Sequence, residues 1–381
     1  MQASNVSAPT ANHSGTIFIA IELSQKAWVL TIHSPDRDGI SQPKLAGGDH
    51  AGLLRLISDI RERVRGKLGR LPEVVTCYEA GYDGFWLHRL LTSAGIKNYV
   101  FDAASIAVEQ RRRRAKTDRI DGKQLLRTLM AHVRGEPRVV RIVRVPSREQ
   151  EDARRLTRER DRLITEQTAH TNRLTALLRL LGVAVGDPRR RNWLEWLAEQ
   201  RDWEGRAVPP ETLAELTREH ARLMLLREQL ETVTRELTSA EAENAQQRDH
   251  LLRLKSLGPG FSTPLVNEVF YKDFRNRRQV GDYFGLAPSP WQSGGTDREQ
   301  GISKAGNRRA RQKAIELAWL WLRHQPDSAL TKWFKARTLN ASKRIRRIAI
   351  VALARKLMVA LWRFLTTGLV PEGAVLKPVK I

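Results

Sequence analysis

The sequence has almost none of the residues that stabilise secreted proteins. Its 381 residues include one cysteine, Cys77, so no disulfide can form within the chain and a disulfide-stapled scaffold is excluded. Cys77 lies in the apolar run 74–78, which indicates a buried structural thiol rather than a nucleophile. No apolar run is long enough to cross a bilayer, and the polar residues 1–14 lack the apolar core of a signal peptide. We therefore expect a cytoplasmic protein with a disordered tail over residues 1–14.

Acidic residues are also scarce relative to basic ones. Asp and Glu number 42 against 66 Lys and Arg, which gives a formal net charge of +24, spread along the chain. A protein this basic is expected to bind nucleic acid rather than a membrane. The apolar fraction of 41% is ordinary for a globular protein, and the length is sufficient for two or three domains.

The first part of the chain, residues 15–146, alternates apolar runs with helical periods. Strands are expected at 16–23, 28–33, 74–78 and 97–102, and helices at 49–67, 85–94 and 122–133. Residues 139–145 fit either a last strand or a linker. This alternation predicts an α/β layer fold, in which functional groups gather at the strand ends.

Four acids occupy positions of this kind. Glu22 and Glu79 each end a predicted strand, and Asp118 and Asp121, three residues apart, share one face at the start of a helix. Carboxylate oxygens on one face are suitable ligands for Mg²⁺. The alternative for the aspartates is that they only complement the helix dipole.

A dense run of positive charge precedes the two aspartates. It consists of Arg111, Arg112, Arg113, Arg114 and Lys116. Such a run would attract a polyanion, and metal-binding acids beside basic residues are what phosphodiester chemistry requires.

The middle of the chain, residues 147–250, predicts two long helices, at 147–181 and 211–248, separated by an insert at 182–210. In the second helix, leucines recur every seven residues, at Leu216, Leu223, Leu230 and Leu237. This heptad favours a coiled coil between protomers, and the alternative is a hairpin that packs on its own first helix. The insert contains Trp193, Trp196 and Trp203, which indicate a small packing unit more than a base-stacking platform.

The last region, residues 251–381, is mostly helical in pattern and contains a second candidate centre. Gly258-Pro259-Gly260 is typical of a helix-hairpin-helix turn, with a plain helix–helix turn as the alternative. Ser293 precedes two glycines in a predicted loop, and the basic residues Lys304, Arg308 and Arg309 follow. Such a serine could attack a phosphate that the arginines neutralise, although Ser-Gly-Gly is more often an ordinary loop.

Taken together, these segments resemble the DEDD transposases, the bridge-RNA-guided recombinases of insertion sequence 110 elements and their Piv-type invertase relatives. The resemblance covers nearly the whole chain after residue 14, except the insert 182–210. Its segments, in order, are Glu22–Lys26, Tyr78–Gly81, Lys116–Asp121, Gly285–Pro288, Ser293-Gly294 and Ile302–Asn307.

The resemblance implies a RuvC-like (ribonuclease-H-like) domain, a long coiled-coil helical linker and a C-terminal transposase domain. It implies that Glu22, Glu79, Asp118 and Asp121 bind Mg²⁺ and that Ser293 forms a covalent phosphoserine link to DNA. It further implies donor and target DNA and a structured guide RNA as partners. The oligomer would be a tetramer built from dimers, in the bacterial cytoplasm near the nucleoid.

One position departs from the family pattern, because the first acid is normally Asp and here it is Glu22. Asp83 is a nearby carboxylate that could compensate. Two other functions stay open: a Mg²⁺-dependent nuclease of the Holliday-junction resolvase kind, which needs the acids but neither Ser293 nor RNA, and a non-enzymatic nucleic-acid-binding protein, which needs only the charge.

Overall fold

The computed structural model describes residues 15–106, 118–184, 186–239, 245–293 and 296–378. Within these ranges it does not describe the side chains of 104, 118–120, 238, 239, 290–293 and 296–300. The predicted tail and the arginine run 111–114 with Lys116 thus lie outside the described residues. The chain divides into two compact units between Val145 and Pro146. In the ranges given, no helix is long and apolar enough to cross a membrane.

The first unit is a mixed sheet with helices on both faces, which confirms the predicted α/β fold. Its elements are β1 (Ile17–Glu22), β2 (Ala27–His33), β3 (Ile40–Ser41), β4 (Lys44–Ala46), α1 (His50–Leu68), β5 (Val74–Glu79), α2 (Trp86–Ser93), β6 (Lys97–Phe101) and α3 (Asp118–Val133). The sheet order is β3-β2-β1-β5-β6, with β4 also paired to β2. Strand β1 is antiparallel to β2 and parallel to β5, and β5 is parallel to β6.

The buried central strands explain the apolar runs in the sequence, because both faces of the sheet are covered. Ile17, Ile19 and Ile21 of β1 pack in one core with the apolar residues of α1 and α2. Phe18 and Ala20, which alternate with them, pack in a second core beneath α3.

Helix α1 shows why its predicted boundaries held to within one residue, whereas α3 begins at Asp118, four residues before its predicted start. Asp49 caps its start, since its Oδ1 accepts a hydrogen bond from the Gly52 amide at 2.8 Å. Gly69 ends it in a left-handed conformation with φ of 67°, which glycine adopts without strain.

The second unit is mostly helical. Its elements are α4 (Arg148–Asp152), α5 (Arg155–Leu180), α6 (Trp193–Glu199), α7 (Pro210–Ser239), α8 (Ala245–Leu252), α9 (Pro259–Leu265), α10 (Arg277–Tyr283), β7 (Pro288–Ser293), β8 (Thr296–Ile302), α11 (Arg308–His324), α12 (Ala329–Thr338) and α13 (Lys343–Thr367). A π-helix, Val266–Phe270, directly follows α9. Helices α8 to α13 share one apolar core.

The leucine heptad of α7 is used within the chain. Leu216 and Leu223 are buried with Leu174 and Leu178 of α5, while Leu226 and Val233 pack with Leu163. The seam therefore follows the alternative of an internal hairpin rather than the favoured coiled coil between protomers. The physical reason is that α5, despite its polar composition, supplies enough leucines on one side to cover the seam.

Two of the three insert tryptophans form the expected packing unit. Trp193 is buried, and its ring stacks on the His220 imidazole with centroids 4.8 Å apart. Trp196 lies 5.9 Å from Trp193, centroid to centroid. Trp203 differs, because 77% of its surface is exposed.

Residues 139–145 follow the linker alternative, since they form no strand but one isolated bridge, Phe101 to Ile142. Two local expectations were wrong. The first long helix is interrupted at Ala153–Arg154, where the Arg154 Nε donates to the Asn267 carbonyl at 3.0 Å. The stretch expected as the serine loop is instead the hairpin β7–β8, in which Ser293 pairs with Thr296. The two residues between them match the connection length of tight hairpins.

A glycine-to-alanine pair tests how closely α3 lies on the sheet. An alanine Cβ at position 122 would lie 2.3 Å from the Thr31 Oγ1, whereas one at Gly66 in α1 would meet nothing within 4 Å. We expect Gly66→Ala to raise the free energy of unfolding by about 0.5–1 kcal/mol through helix propensity. Gly122→Ala should instead lower it by about 1–3 kcal/mol through overpacking. Urea denaturation of both variants measures the difference, and equal effects would show that α3 is not seated on Thr31.

Candidate functional site

The two predicted glutamates lie at the ends of neighbouring parallel strands. Strands β1 and β5 pair Ile21 with Tyr78, so Glu22 and Glu79 each follow a paired residue at the same edge of the sheet. Glu22 is half-buried and Glu79 is exposed. By strand alternation, both lie on the face that α3 covers, Glu22 with Ala20 and Glu79 with Cys77.

Helix α3 brings the aspartates to the same face. Gly122 lies against Thr31 of β2, and the Cys77 Sγ is 3.9 Å from the Leu125 carbonyl. Asp121, directly before Gly122, is half-buried. Asp118 is the first residue of the helix, and its side chain lies outside the described residues.

Cys77 is a structural thiol, as predicted. Its side chain is fully buried beneath α3. Burial, with a smaller contribution from the Glu79 carboxylate, raises the pKa of the Cys77 thiol well above its ordinary value. The thiolate needed for nucleophilic attack is therefore suppressed.

The donor chemistry of these acids fits a hard divalent cation, since all four supply carboxylate oxygens. The topology places Glu22, Glu79 and the start of α3 on one face of one sheet. Among the residues whose side chains are described, no three Asp, Glu, His or Cys side chains converge on a point where they could hold a metal. Glu22, Glu79 and Asp121 belong to that set and do not form such a group, while the Asp118 side chain lies outside it, so the four-acid cluster stays a prediction.

Ser293 is positioned by a strand of the second unit. It is the last residue of β7, and its side chain lies outside the described residues. The base of the same hairpin pairs Pro288 with Ile302, which leads into the predicted basic loop. The sequence segments around 285 and 304 thus meet where this hairpin begins.

Those two segments interlock through glycines and one arginine. An added Cβ at Gly306 would lie 2.5 Å from the Tyr283 carbonyl oxygen and 2.6 Å from the Gly285 amide, so only glycine fits there. The Arg311 guanidinium donates to the carbonyls of Phe284 and Lys304 at 3.0 and 3.2 Å. Lys304 itself has φ of 56°, an uncommon conformation for a residue with a side chain.

Asn307 anchors the loop to the helical core. Its Oδ1 accepts from the Ala310 amide at 3.1 Å and so caps α11, while its Nδ2 donates to the Tyr283 hydroxyl at 3.1 Å. The Tyr283 hydroxyl donates in turn to the Glu268 carbonyl at 2.6 Å. The Glu268 carboxylate accepts two hydrogen bonds from Arg158 of α5, at 2.7 and 3.1 Å. These contacts connect the loop that ends at Asn307 to the hairpin formed by α5 and α7.

The predicted basic residues divide into two kinds. Lys304 and Arg308 are exposed at the loop and at the start of α11. Arg309 is instead tied to Asp161 of α5, with its Nη2 3.0 Å from Oδ2, and Lys313 contacts the same carboxylate at 3.2 Å. Arg309 therefore has a structural partner, which makes it a weaker candidate for contacting nucleic acid.

The Gly258-Pro259-Gly260 segment lies between α8 and α9, with Gly258 as the N-cap of α9 and Pro259 in its first turn. Gly258 and Gly260 are half-exposed and Pro259 is exposed. The segment is thus a helix–helix turn on the surface, and a contact with nucleic acid there stays a prediction.

Sequence reasoning missed Arg311, Arg158 and Glu268. Arg158 and Glu268 are 110 residues apart in the chain. Charged residues on polar helices carry no local signal that they will pair at such a separation. Arg311 lies on the same helix as the predicted Arg308. Its structural role depends on the backbone at Gly285 lying close to it in the fold, which the sequence does not show.

The first unit is a mixed α/β sheet with acids at its strand ends, and a mostly helical unit follows it. This arrangement is consistent with the class of RuvC-like DEDD proteins. Two family models match the chain. A DEDD transposase model of the IS110 group matches residues 15–182, and the model described as the transposase family IS116/IS110/IS902 matches residues 248–332.

Relatives agree with these matches. The y4rJ protein of Sinorhizobium fredii, a candidate transposase by name, is 46% identical over 385 residues, covering 97% of each chain. The transposase for insertion sequence element IS1328 of Yersinia enterocolitica is 29% identical over 56% of this chain and 63% of its own. The transposase for element IS1111A of Coxiella burnetii is 29% identical over 60% of this chain and 62% of its own. The chain belongs to the IS110 family of transposases.

Variants of Asn307 test whether this motif residue is structural. Asn307→Ala removes the α11 cap and the hydrogen bond to Tyr283, so the free energy of unfolding should fall by about 2 kcal/mol. Asn307→Asp keeps the cap and should cost less than half as much. Thermal and urea unfolding provide the measurement, with Asn276→Ala at the α10 cap as the matched control. An unchanged stability in Asn307→Ala would leave the residue free for a role in binding.

Proposed function

We propose that this transposase cuts and rejoins donor and target DNA through a covalent phosphoserine intermediate, with a structured RNA as its guide. Membership of the IS110 family gives the coarser activity, the mobility of an insertion sequence. The finer mechanism is supported by two candidate centres, one acidic and one containing a serine beside basic residues.

One observation carries the proposal. Glu22 and Glu79 end adjacent parallel strands on one face, and the helix that begins at Asp118 and carries Asp121 packs on that face. Strand-end carboxylates in this order are the arrangement that ribonuclease-H-like nucleases use. Glutamate at position 22 has the same oxygens as aspartate with one more methylene, so it can reach the same ligand from a slightly more distant backbone. Asp83, in the turn after β5, remains a possible substitute.

Mg²⁺ is the proposed resident ion, which when bound would supply charge stabilisation to a phosphate. Glu22, Glu79, Asp118 and Asp121 would hold it. The role of the protein residues is to fix these oxygens on rigid elements, because β1 and β5 are packed on both faces by buried apolar side chains and α3 packs on one of those faces.

Ser293 is the proposed nucleophile. Its oxygen would form a bond to phosphorus while the bond from phosphorus to one strand oxygen breaks, and the serine proton would end on the departing oxygen. The number of phosphoester bonds is unchanged, so rejoining needs no ATP. Exposed Lys304 and Arg308 would neutralise the phosphate during attack.

The partners follow from charge and from the family. A net charge of +24 suits a protein that holds two DNA duplexes and an RNA together. In the proposed assembly, a tetramer built from dimers in the bacterial cytoplasm near the nucleoid, the acids and Ser293 of one active site come from different protomers.

The serine is tested by trapping the covalent link. Protein, guide RNA and labelled donor and target duplexes should give a protein–DNA adduct that survives denaturing electrophoresis, and Ser293→Ala should abolish it because the variant lacks the attacking oxygen. Ser289→Ala, four residues earlier on β7, is the matched control and should retain the adduct. An adduct in Ser293→Ala would remove this role, and hydrolysed DNA without any adduct would favour a resolvase-like nuclease.

The acids are tested by isosteric neutralisation. Asp118→Asn and Asp121→Asn should each reduce strand exchange by at least ~100-fold, because a lost ligand costs more than a lost outer-sphere partner. RNA binding should stay within about twofold, and the exposed Asp59→Asn on α1 is the matched control. Quantitative recombination and filter-binding assays measure the two effects. Undiminished strand exchange in both variants would show that these acids do not hold the catalytic metal, whereas nucleic-acid binding with no strand exchange even in the unaltered chain would indicate a non-enzymatic binding protein.

A further inference from the structure

Helix α13 borders a wide groove in the second unit. One side of α13 is buried in the core, and the opposite side forms the wall of a cavity of about 1680 Å³. Sites for small molecules have roughly 300–1,000 Å³. The groove is therefore larger than a small ligand needs and is open enough to hold a polymer. Pro288 and Ile302, the base of the Ser293 hairpin, form part of its lining.

The rim of this groove, here called the α13 groove, is strongly basic. Its arginines are Arg277, Arg278, Arg344, Arg347, Arg355 and Arg363. Lys356 adds a seventh cation, and Glu372 is the one acid in the lining. Within the part of the chain that the structure describes, none of the six arginines forms an ion pair with a carboxylate. This concentration of positive charge favours an anionic occupant.

The floor of the groove is apolar and reaches the surface. Ile348 is 60% exposed and Leu369 is 66% exposed, and Val351 and Val359 lie between them. Exposed apolar side chains in a row mark a contact surface. A duplex presents its phosphates outward and keeps its base faces stacked, so it would leave this floor uncovered. An unpaired strand can bring its bases to the floor while its phosphates reach the rim.

The dimensions agree with an extended strand. Arg344 and Arg363 are 19 positions apart on a continuous helix, which corresponds to about 28 Å at 1.5 Å per residue. Arg347 and Arg355 lie between them at helical spacing on the groove side. The cations thus recur along the whole length of the groove.

We propose that the α13 groove binds an unpaired nucleic-acid strand, with phosphates on the arginine rim and bases on the floor around Ile348, Val351 and Leu369. This proposal extends the proposed function. It rests on that function only in assuming that the protein binds nucleic acid. An acidic protein segment is the other occupant that the charge would suit. The basic chain offers no stretch with enough carboxylates to match six uncompensated cations.

The test measures binding without strand exchange. Fluorescence anisotropy with the full chain in EDTA compares oligo-dT and oligo-U of 20 nucleotides with a 20-base-pair duplex. The double variant Arg347→Gln/Arg355→Gln should weaken binding of the single strands by at least tenfold. It should also reduce the salt slope by about 1.4, at roughly 0.7 per lost phosphate contact. The control Arg55→Gln/Arg179→Gln removes the same charge from exposed sites on α1 and α5.

A floor variant separates base contact from plain electrostatics. Ile348→Ser changes an exposed residue, so folding should be unaffected, and it should weaken binding of the single strands about fivefold while leaving the duplex unchanged. Comparing dT with U shows whether the strand is DNA or RNA. The same measurements on Ser293→Ala keep this result independent of the phosphoserine mechanism.

Three outcomes would overturn the proposal. Equal weakening of duplex and single strand with no effect of Ile348→Ser would make the groove a general phosphate surface. Effects no larger than those of the control variant would show that strands bind elsewhere. A change in oligomeric state with strand binding intact would indicate that a second copy of the chain occupies the groove.

Discussion

The parallel pairing of β1 with β5 is the contact on which the acidic site depends. It brings the ends of two strands that are 57 positions apart to one edge, so that Glu22 and Glu79 share a face. Helix α3 can cover that face only because Gly122 allows its backbone to approach Thr31. A larger residue there would lift α3 away from the sheet, and Asp121 would move with it. The acids are therefore placed by apolar packing rather than by contacts with one another.

The second unit depends on a similar close approach. Gly306 lies against the backbone of residues 282–285, and Arg311 holds the two segments by their carbonyls. Hydrogen bonds then connect Asn307 to Tyr283 and Tyr283 to Glu268. Glu268 in turn binds Arg158 of α5. The hairpin that carries Ser293 thus begins, at Pro288 and Ile302, next to these tightly packed segments. Rigidity at the base is what a nucleophile needs if its position is to be set before substrate binds.

Much of the first unit could be predicted because its signals are local. Apolar runs of strand length, the Asp49 cap and the Gly69 stop fix β1, β5 and α1 within a residue or two. The second unit was harder to predict. The leucine heptad of α7 is equally suited to a partner chain or to α5, and sequence period alone does not say which surface covers it. The sequence indicates a loop at Ser293 because two glycines follow it. In the structure Ser293 ends β7 and pairs with Thr296 of β8.

The sequence by itself determined the α/β class of the first unit, the basic charge, the candidate acids and the family, because these depend on residue type and spacing. The tertiary structure decided which distant residues meet. In the folded chain Arg309 pairs with Asp161, and the apolar seam of α7 packs on α5. The arginines of α10 lie beside those of α13 and line one groove with them. Such pairings are chosen by chain topology and core packing, which act between residues far apart in sequence and leave no local pattern.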